Sequence, residues 1–262
     1  MKKFVKRGEA MYSDRRELIL KYIKESGQAS LKELTELCPD VSDMTLRRDL
    51  AFLEEKGHII RTRGGAVAAS RAGVNAEDLY SRRAVLHTRE KQEIAEKAQA
   101  LVEPACAMYL DSGSTMLQFI KALPDDNYYI ITSDPNIALE AVHKSKTTVT
   151  LVGGNLNRNT LSASGVHSMN FVNSVNIDIA FMSASGFNPQ TGFTSGAFSE
   201  CELKSAVMEK ARTRVMLMDS SKLEKRMPFT FAHLSDIDVL VSDSKLDSEI
   251  RSLAEAENVR VI

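Results

Sequence analysis

The chain of 262 residues is long for one hydrophobic core and comfortable for two. Hydrophobic residues make up 43% and charged residues 26%, which excludes a largely disordered chain. The formal net charge of −1 hides an asymmetry: residues 1–72 carry 15 Lys/Arg and 11 Asp/Glu, the remainder 19 and 24, so a basic head precedes an acidic body and suggests a polyanionic partner for the head.

The start, Met1 to Asp14, is basic with no apolar stretch after it and does not read as a signal peptide, and no apolar run approaches the roughly 20 residues that span a bilayer. From Asp14 the pattern is helical, with Leu18, Ile19, Tyr22 and Ile23 on one stripe until Ser26-Gly27 stops it. Ser30-Leu31-Lys32-Glu33 reads as a capping box, so a second helix starts at Ser30 and buries Leu31, Leu34 and Leu37; Pro39-Asp40 breaks it. Ser42 caps a third helix whose inward stripe is Leu46, Leu50 and Leu53, and Gly57 ends it.

Three short helices, the last two joined by a tight turn, have the dimensions of a helix-turn-helix, whose last helix enters the major groove with its N-terminal residues leading. Here those residues are Ser42, Met44, Thr45, Arg47 and Arg48, with Thr45 and Arg48 expected one turn apart on the outer face. An arginine there can read guanine through a bidentate pair. His58 to Arg63 reads as a strand, Gly64-Gly65 as a turn and Ala66-Val67 as a returning strand, so Arg61 and Arg63 decorate a wing placed to touch phosphate or minor groove.

At this point Thr45-Leu46-Arg47-Arg48-Asp49-Leu50, Leu53-Glu54-Glu55-Lys56-Gly57 and Arg61-Thr62-Arg63-Gly64-Gly65-Ala66 resemble the winged helix-turn-helix of DeoR-type repressors. Arg63 stands where members often carry His, which adds charge.

Residues 71–79 are small, polar and aperiodic and read as a linker between a DNA-binding domain over 1–70 and an α/β domain over 80–262. Lys91 to Val102 is an amphipathic helix with Ile94, Ala95, Ala98 and Leu101 on one side. Strand 106–110, helix 115–122, strand 128–132, helix 135–143 and strand 147–152 follow, a βαβαβ rhythm that predicts a largely parallel sheet with helices on both faces. Further strands read at Asp178–Met182, Val215–Met218 and Val239–Val241.

Ligands of such sheets bind beyond the carboxyl ends of the strands. The first strand runs into Asp111-Ser112-Gly113-Ser114-Thr115 and then a helix, so a glycine, hydroxyl donors and a helix N-terminus meet in a loop suited to phosphate. The other tips, Thr132-Ser133, Gly153-Gly154 and Ser183 to Gly186, are expected on the same rim, with positive charge from Lys204 and from Lys222 as the weaker candidate.

These segments, with Glu200 to Lys204 and Asp219 to Lys222, again match the DeoR family, whose sensor is similar to the ribose-5-phosphate isomerase type of fold. That resemblance, spanning roughly residues 14 to 243, implies a phosphorylated sugar or related metabolite as effector, with the Asp111–Thr115 loop holding phosphate. It departs at Ser183, where members often have Gly.

The alternative, a sugar-phosphate isomerase-like enzyme, needs a carboxylate base beside a carbonyl. Asp111, Glu200 and Glu202 offer carboxylates, but the DGADE-like acidic run of the isomerases is missing, the five histidines lack metal spacing, and the GxSxG and GxxxxGKS motifs are absent. Cys38, Cys106 and Cys201 are odd in number, far apart and free of CxxC spacing, as in reduced cytosolic proteins. The expectation is a cytoplasmic, non-enzymatic transcription regulator of a sugar-metabolism operon. It binds a double-stranded DNA operator and a phosphorylated sugar, needs no cofactor or metal, has no membrane partner, and works as a homodimer or homotetramer.

Overall fold

Ser30 and Glu33 close a reciprocal cap on helix α2 (Leu31–Leu37): the Ser30 N–H donates to the Glu33 carboxylate at 2.6 Å and the Glu33 N–H donates to Ser30 Oγ at 3.2 Å. The computed structural model describes residues 15–39, 41–55, 58–62, 64–68 and 80–262, and the chain divides into two compact units, Met1–Ala76 and Glu77–Ile262. Gly57, Arg63 and the 71–79 segment lie outside the described residues.

In the first unit, helix α1 (15–26) leads through strand β1 (Gln28–Ser30) and α2 to helix α3 (Asp43–Glu55) and the strands β2 (Ile59–Thr62) and β3 (Gly65–Ala68). Ile19, Ile23, Leu34, Leu46, Leu50, Leu53 and Ile59 form its core, as the apolar stripes require. The expected two-stranded wing gains a third strand, because β1 pairs antiparallel with β3 in the order β1-β3-β2. That pairing explains the second glycine of the Gly-Gly-Ala turn: a Cβ on Gly65 would lie 2.0 Å from the Ala29 carbonyl oxygen.

The second unit opens with helices α4 (Tyr80–Val85) and α5 (Thr88–Ala98), the latter starting three residues before the predicted Lys91. Strand β4 (Ala107–Leu110), helix α6 (Ser114–Ala122), strand β5 (Tyr129–Thr132), helix α7 (Pro135–Ala141) and strand β6 (Thr148–Leu151) realise the βαβαβ rhythm. After a short hairpin, β7 (Asn155–Leu156) with β8 (Ala163–Ser164), come helix α8 (Val166–Ser174) and strand β9 (Ile177–Ser183). Strands β10 (Gly186–Asn188) and β11 (Gly192–Ser195), helix α9 (Phe198–Lys210), strands β12 (Ala211–Leu217), β13 (Phe229–Ala232) and β14 (Val239–Val241), helix α10 (Ser248–Ala256) and strand β15 (Arg260–Val261) complete the unit.

Seven strands form one parallel sheet in the order β15-β14-β12-β9-β4-β5-β6, while β10, β11 and β13 make a small antiparallel sheet. Alternate strand residues feed two core layers. Tyr109, Ala180, Met182 and Met216 pack with α8, α9 and α10, and Met108, Leu110, Phe181 and Val215 with α5, α6 and α7. Phe181 stacks on Phe119 with centroids 4.5 Å apart, and truncating either to Ala removes about 3–5 kcal/mol. The strand order reverses between β9 and β4, the place where sheets of this kind form a ligand crevice at the carboxyl ends of the strands. Among the described residues, no helix is long and apolar enough to cross a membrane.

Candidate functional site

Two groups of residues carry chemistry, one in each unit. In the first, α3 is fixed in rotation by what it buries. Leu46, Leu50 and Leu53 face the core, and Asp49, 1% exposed, accepts from Arg15 Nε at 2.6 Å and Arg16 Nε at 2.8 Å on α1. That double pairing leaves Arg47 and Arg48 exposed on the opposite face. Ser42 and Thr45 do not lie free beside them, because their hydroxyls meet at 3.0 Å and the Thr45 N–H reaches Ser42 Oγ at 3.4 Å, tying the first turn of α3. Arg61 on β2 is held by Glu54 of α3, through Nε at 2.6 Å and its own backbone N–H at 2.8 Å. The cleft between α3 and the wing is lined by Arg47, Glu54, Arg61 and Gly65.

In the second unit the expected rim residues divide by what they already bind. Asp111, just past β4, accepts from the Ser183 N–H at 2.9 Å, from Ser183 Oγ at 3.1 Å and from the Lys204 ammonium. Lys204 also donates to the Ser183 carbonyl at 3.1 Å, so its charge is matched inside this knot rather than displayed. Thr132 Oγ1 accepts from the Asp134 N–H, and Ser133 Oγ is met by Tyr109 Oη at 3.0 Å; both residues shape the wall. Ser168 Oγ donates to the Gly153 carbonyl at 2.5 Å, and Gly154 sits at φ +140°.

What remains open is the turn that starts α6. Gly113 holds φ +124°, a region that costs a side chain strain, and its N–H donates to Asp134 Oδ2 at 3.1 Å. The hydroxyls of Ser114 and Thr115, in the first turn beyond it, make no hydrogen bond to a described residue. Two hydroxyls, the leading N–H groups of a nine-residue helix and its positive end therefore meet beside the β4/β9 crevice. Burial raises the Asp134 carboxyl above its ordinary range, against the pull of its backbone donors.

Sequence reasoning missed a polar cluster on α4 and α5. Lys91 is 3% exposed and caps the end of α4, donating to the Arg83 and Leu86 carbonyls. Burial lowers it to about 8; Asp219 pulls it back upward, while Lys222 and Arg83 press it down. Burial, then the charge of Asp134, pushes the Tyr80 hydroxyl up to about 12. Tyr80 Oη and Asp219 Oδ2 are buried with no hydrogen-bond partner among the described residues. The signal was present, since Lys91 occupies the same stripe as Ile94, Ala95 and Ala98 at i, i+3, i+4 and i+7.

Comparison with known proteins gives a consistent answer. A family described as the DeoR-like helix-turn-helix domain matches residues 15–72, and the DeoR C terminal sensor domain matches residues 86–244. The HTH-type transcriptional regulator GlpR of Haloferax volcanii is 30% identical over 251 residues, covering 95% of this chain and 97% of that one. IolR of Bacillus subtilis is 31% identical over 229 residues, 87% and 90% of the two chains, and the L-fucose operon activator of Haemophilus influenzae 29% over 248 residues, 95% and 98%. Among solved structures, ribose 5 phosphate isomerase A from Neisseria gonorrhoeae aligns over 55% of each chain with a TM-score of 0.39 and 18% identity.

Proposed function

The chain belongs to the DeoR family of DNA-binding transcriptional regulators, and on that premise we propose that it represses a sugar-metabolism operon until its second unit binds a phosphorylated sugar or related metabolite. The observation that carries the sensing half is the pair of buried hydroxyls, Ser114 and Thr115, that bond to no described residue at the start of α6 beside the β4/β9 switch point. A phosphate there accepts from both hydroxyls and from the leading N–H groups, in a position the helix dipole favours. The knot of Asp111, Ser183 and Lys204 then forms the floor under the sugar, with polar groups that bind hydroxyls without adding net charge.

Operator contact falls to Arg47 and Arg48 on α3, supported by the capped turn of Ser42 and Thr45, with Arg61 on β2 and, from its place in the sequence, Arg63. Effector occupancy changes operator affinity by the usual coupling of about 1–3 kcal/mol, or roughly 5- to 150-fold. The working form is a cytoplasmic dimer or tetramer whose symmetry matches a two-fold operator. A catalytic role is disfavoured by where the three candidate carboxylates stand: Asp111 is taken by Lys204 and Ser183, Glu200 accepts from Asn157 Nδ2 at 2.9 Å and from Thr160, and Glu202 is exposed on α9.

Calorimetric titration tests the sensing half. A phosphorylated sugar should bind where its unphosphorylated form does not, and inorganic phosphate should compete. Equal binding of both forms would remove the phosphate cradle from the account.

A further inference from the structure

Met44 is 64% exposed in the first turn of α3, a large apolar side chain on a surface otherwise given to charge. Among the described residues of the first unit, only Leu18, on α1, is a second exposed large hydrophobic. Met44 falls on one helical stripe with Arg47, Arg48 and half-buried Ala51 at i, i+3, i+4 and i+7. The stripe cannot turn away, because Leu46, Asp49, Leu50 and Leu53 anchor the other side of α3 and Arg15 and Arg16 clamp Asp49. Asp43, the nearest acid, lies within 3.3 Å of Thr35 Oγ1 on α2. What projects from the leading end of the helix is therefore an unbranched thioether next to two guanidinium groups.

On the reading of α3 as the helix that enters the major groove, the floor of that groove offers an apolar side chain one normal partner, the C5 methyl of thymine. We propose that Met44 is a specificity-determining residue that packs on a thymine methyl in each half-site, while the arginines beside it take guanine edges or phosphates. The contact removes both methyl and thioether from water, and methionine's three rotatable bonds let it follow the methyl without moving the helix. Ala51, one turn beyond the arginines, is small enough to let the helix lie close to the base edges.

The test uses the full-length protein and a duplex operator selected from a randomised library. Each thymine is replaced singly by deoxyuridine, which deletes the methyl and leaves every hydrogen-bonding group in place. At one thymine per half-site the replacement should weaken binding about fourfold, the worth of one buried methyl group. Met44→Ala should bind the thymine and deoxyuridine duplexes equally, and Met44→Leu should keep discrimination. If no replacement weakens binding, or if the sensitive position stays equally sensitive in Met44→Ala, the proposal is overturned while the recognition-helix reading stands. A protein that selects no sequence at all fails the recognition reading, and the proposal with it.

Discussion

The ammonium of Lys204 on α9 and the carboxylate of Asp111 past β4 form an ion pair whose side chains are 8% and 2% exposed. The pair spans the point where the strand order reverses, and Ser183 at the end of β9 hydrogen-bonds to both members. It couples two adjacent strands and one covering helix at the floor of the candidate site.

Breaking this pair from one side leaves a buried charge without its partner. Asp111→Asn and Lys204→Met should each cost about 3–5 kcal/mol, whereas the double variant should recover much of the loss. Urea unfolding of all four proteins reads this directly. Additive losses in the double variant would mean that the two groups act independently.

Lys91 predicts a pH dependence. Its folded value, about 8, lies below the ordinary lysine value of 10.5 because burial disfavours the charged form. Below pH 8 the native state holds the buried charge, and its cost is fully present. From about pH 8 to 10.5 the unfolded chain keeps the proton that the native chain has released, so stability rises with pH by at most ~1.4 kcal/mol per pH unit from this group. The stability of the wild type relative to Lys91→Met should therefore improve from pH 8 towards pH 10 in denaturant unfolding. A flat difference would mean that the two carbonyl partners of the ammonium offset its burial and leave its pKa at the ordinary value.

On the DNA side, Arg48→Ala should weaken operator binding by about 1–3 kcal/mol if the arginine reads a base. Unchanged affinity would remove Arg48 from the interface. Glu54→Gln should act in the opposite direction, since it releases Arg61 from its carboxylate partner. Tighter binding and a salt dependence steeper by about one phosphate contact are expected from anisotropy titrations at several ionic strengths.

Ser114→Asp should separate sensing from DNA binding. The new carboxylate lies in the first turn of α6, where the helix dipole offsets part of the cost of burying it at a position 6% exposed, and a thermal melt checks that the fold holds. The same charge repels a phosphate from the cradle. Operator binding should survive while release by the effector disappears; an intact response would place the effector elsewhere.

Much of this architecture is legible in local pattern. The Ser30/Glu33 cap, the leucine stripe of α3, the strand-turn-strand pattern of the wing and the βαβαβ rhythm depend on residues a turn or a strand apart. Pairing across long separations is what local pattern does not carry. Strand β1 forms only because Gly65 lets Ala29 approach, and the small antiparallel sheet joins segments near 187, 193 and 231. The same limit governs the site. Ser114 and Thr115 could be picked from their loop, but the neutralisation of Lys204 by Asp111 links residues 93 positions apart. Lys91 was visible as a lysine on an apolar stripe, and its capping of α4 was not.

On the proposed reading, one protein binds operator DNA and releases it on meeting a phosphorylated small molecule. Fluorescence anisotropy on duplexes from upstream of its own gene and the neighbouring operon, titrated with a panel of sugar phosphates, tests it most directly. Salt-sensitive, sequence-selective binding is expected, reversed by one phosphorylated compound and not by its unphosphorylated form. Selective binding that no sugar phosphate alters would contradict the sensing claim, and consumption of a sugar phosphate without selective DNA binding would contradict the account as a whole.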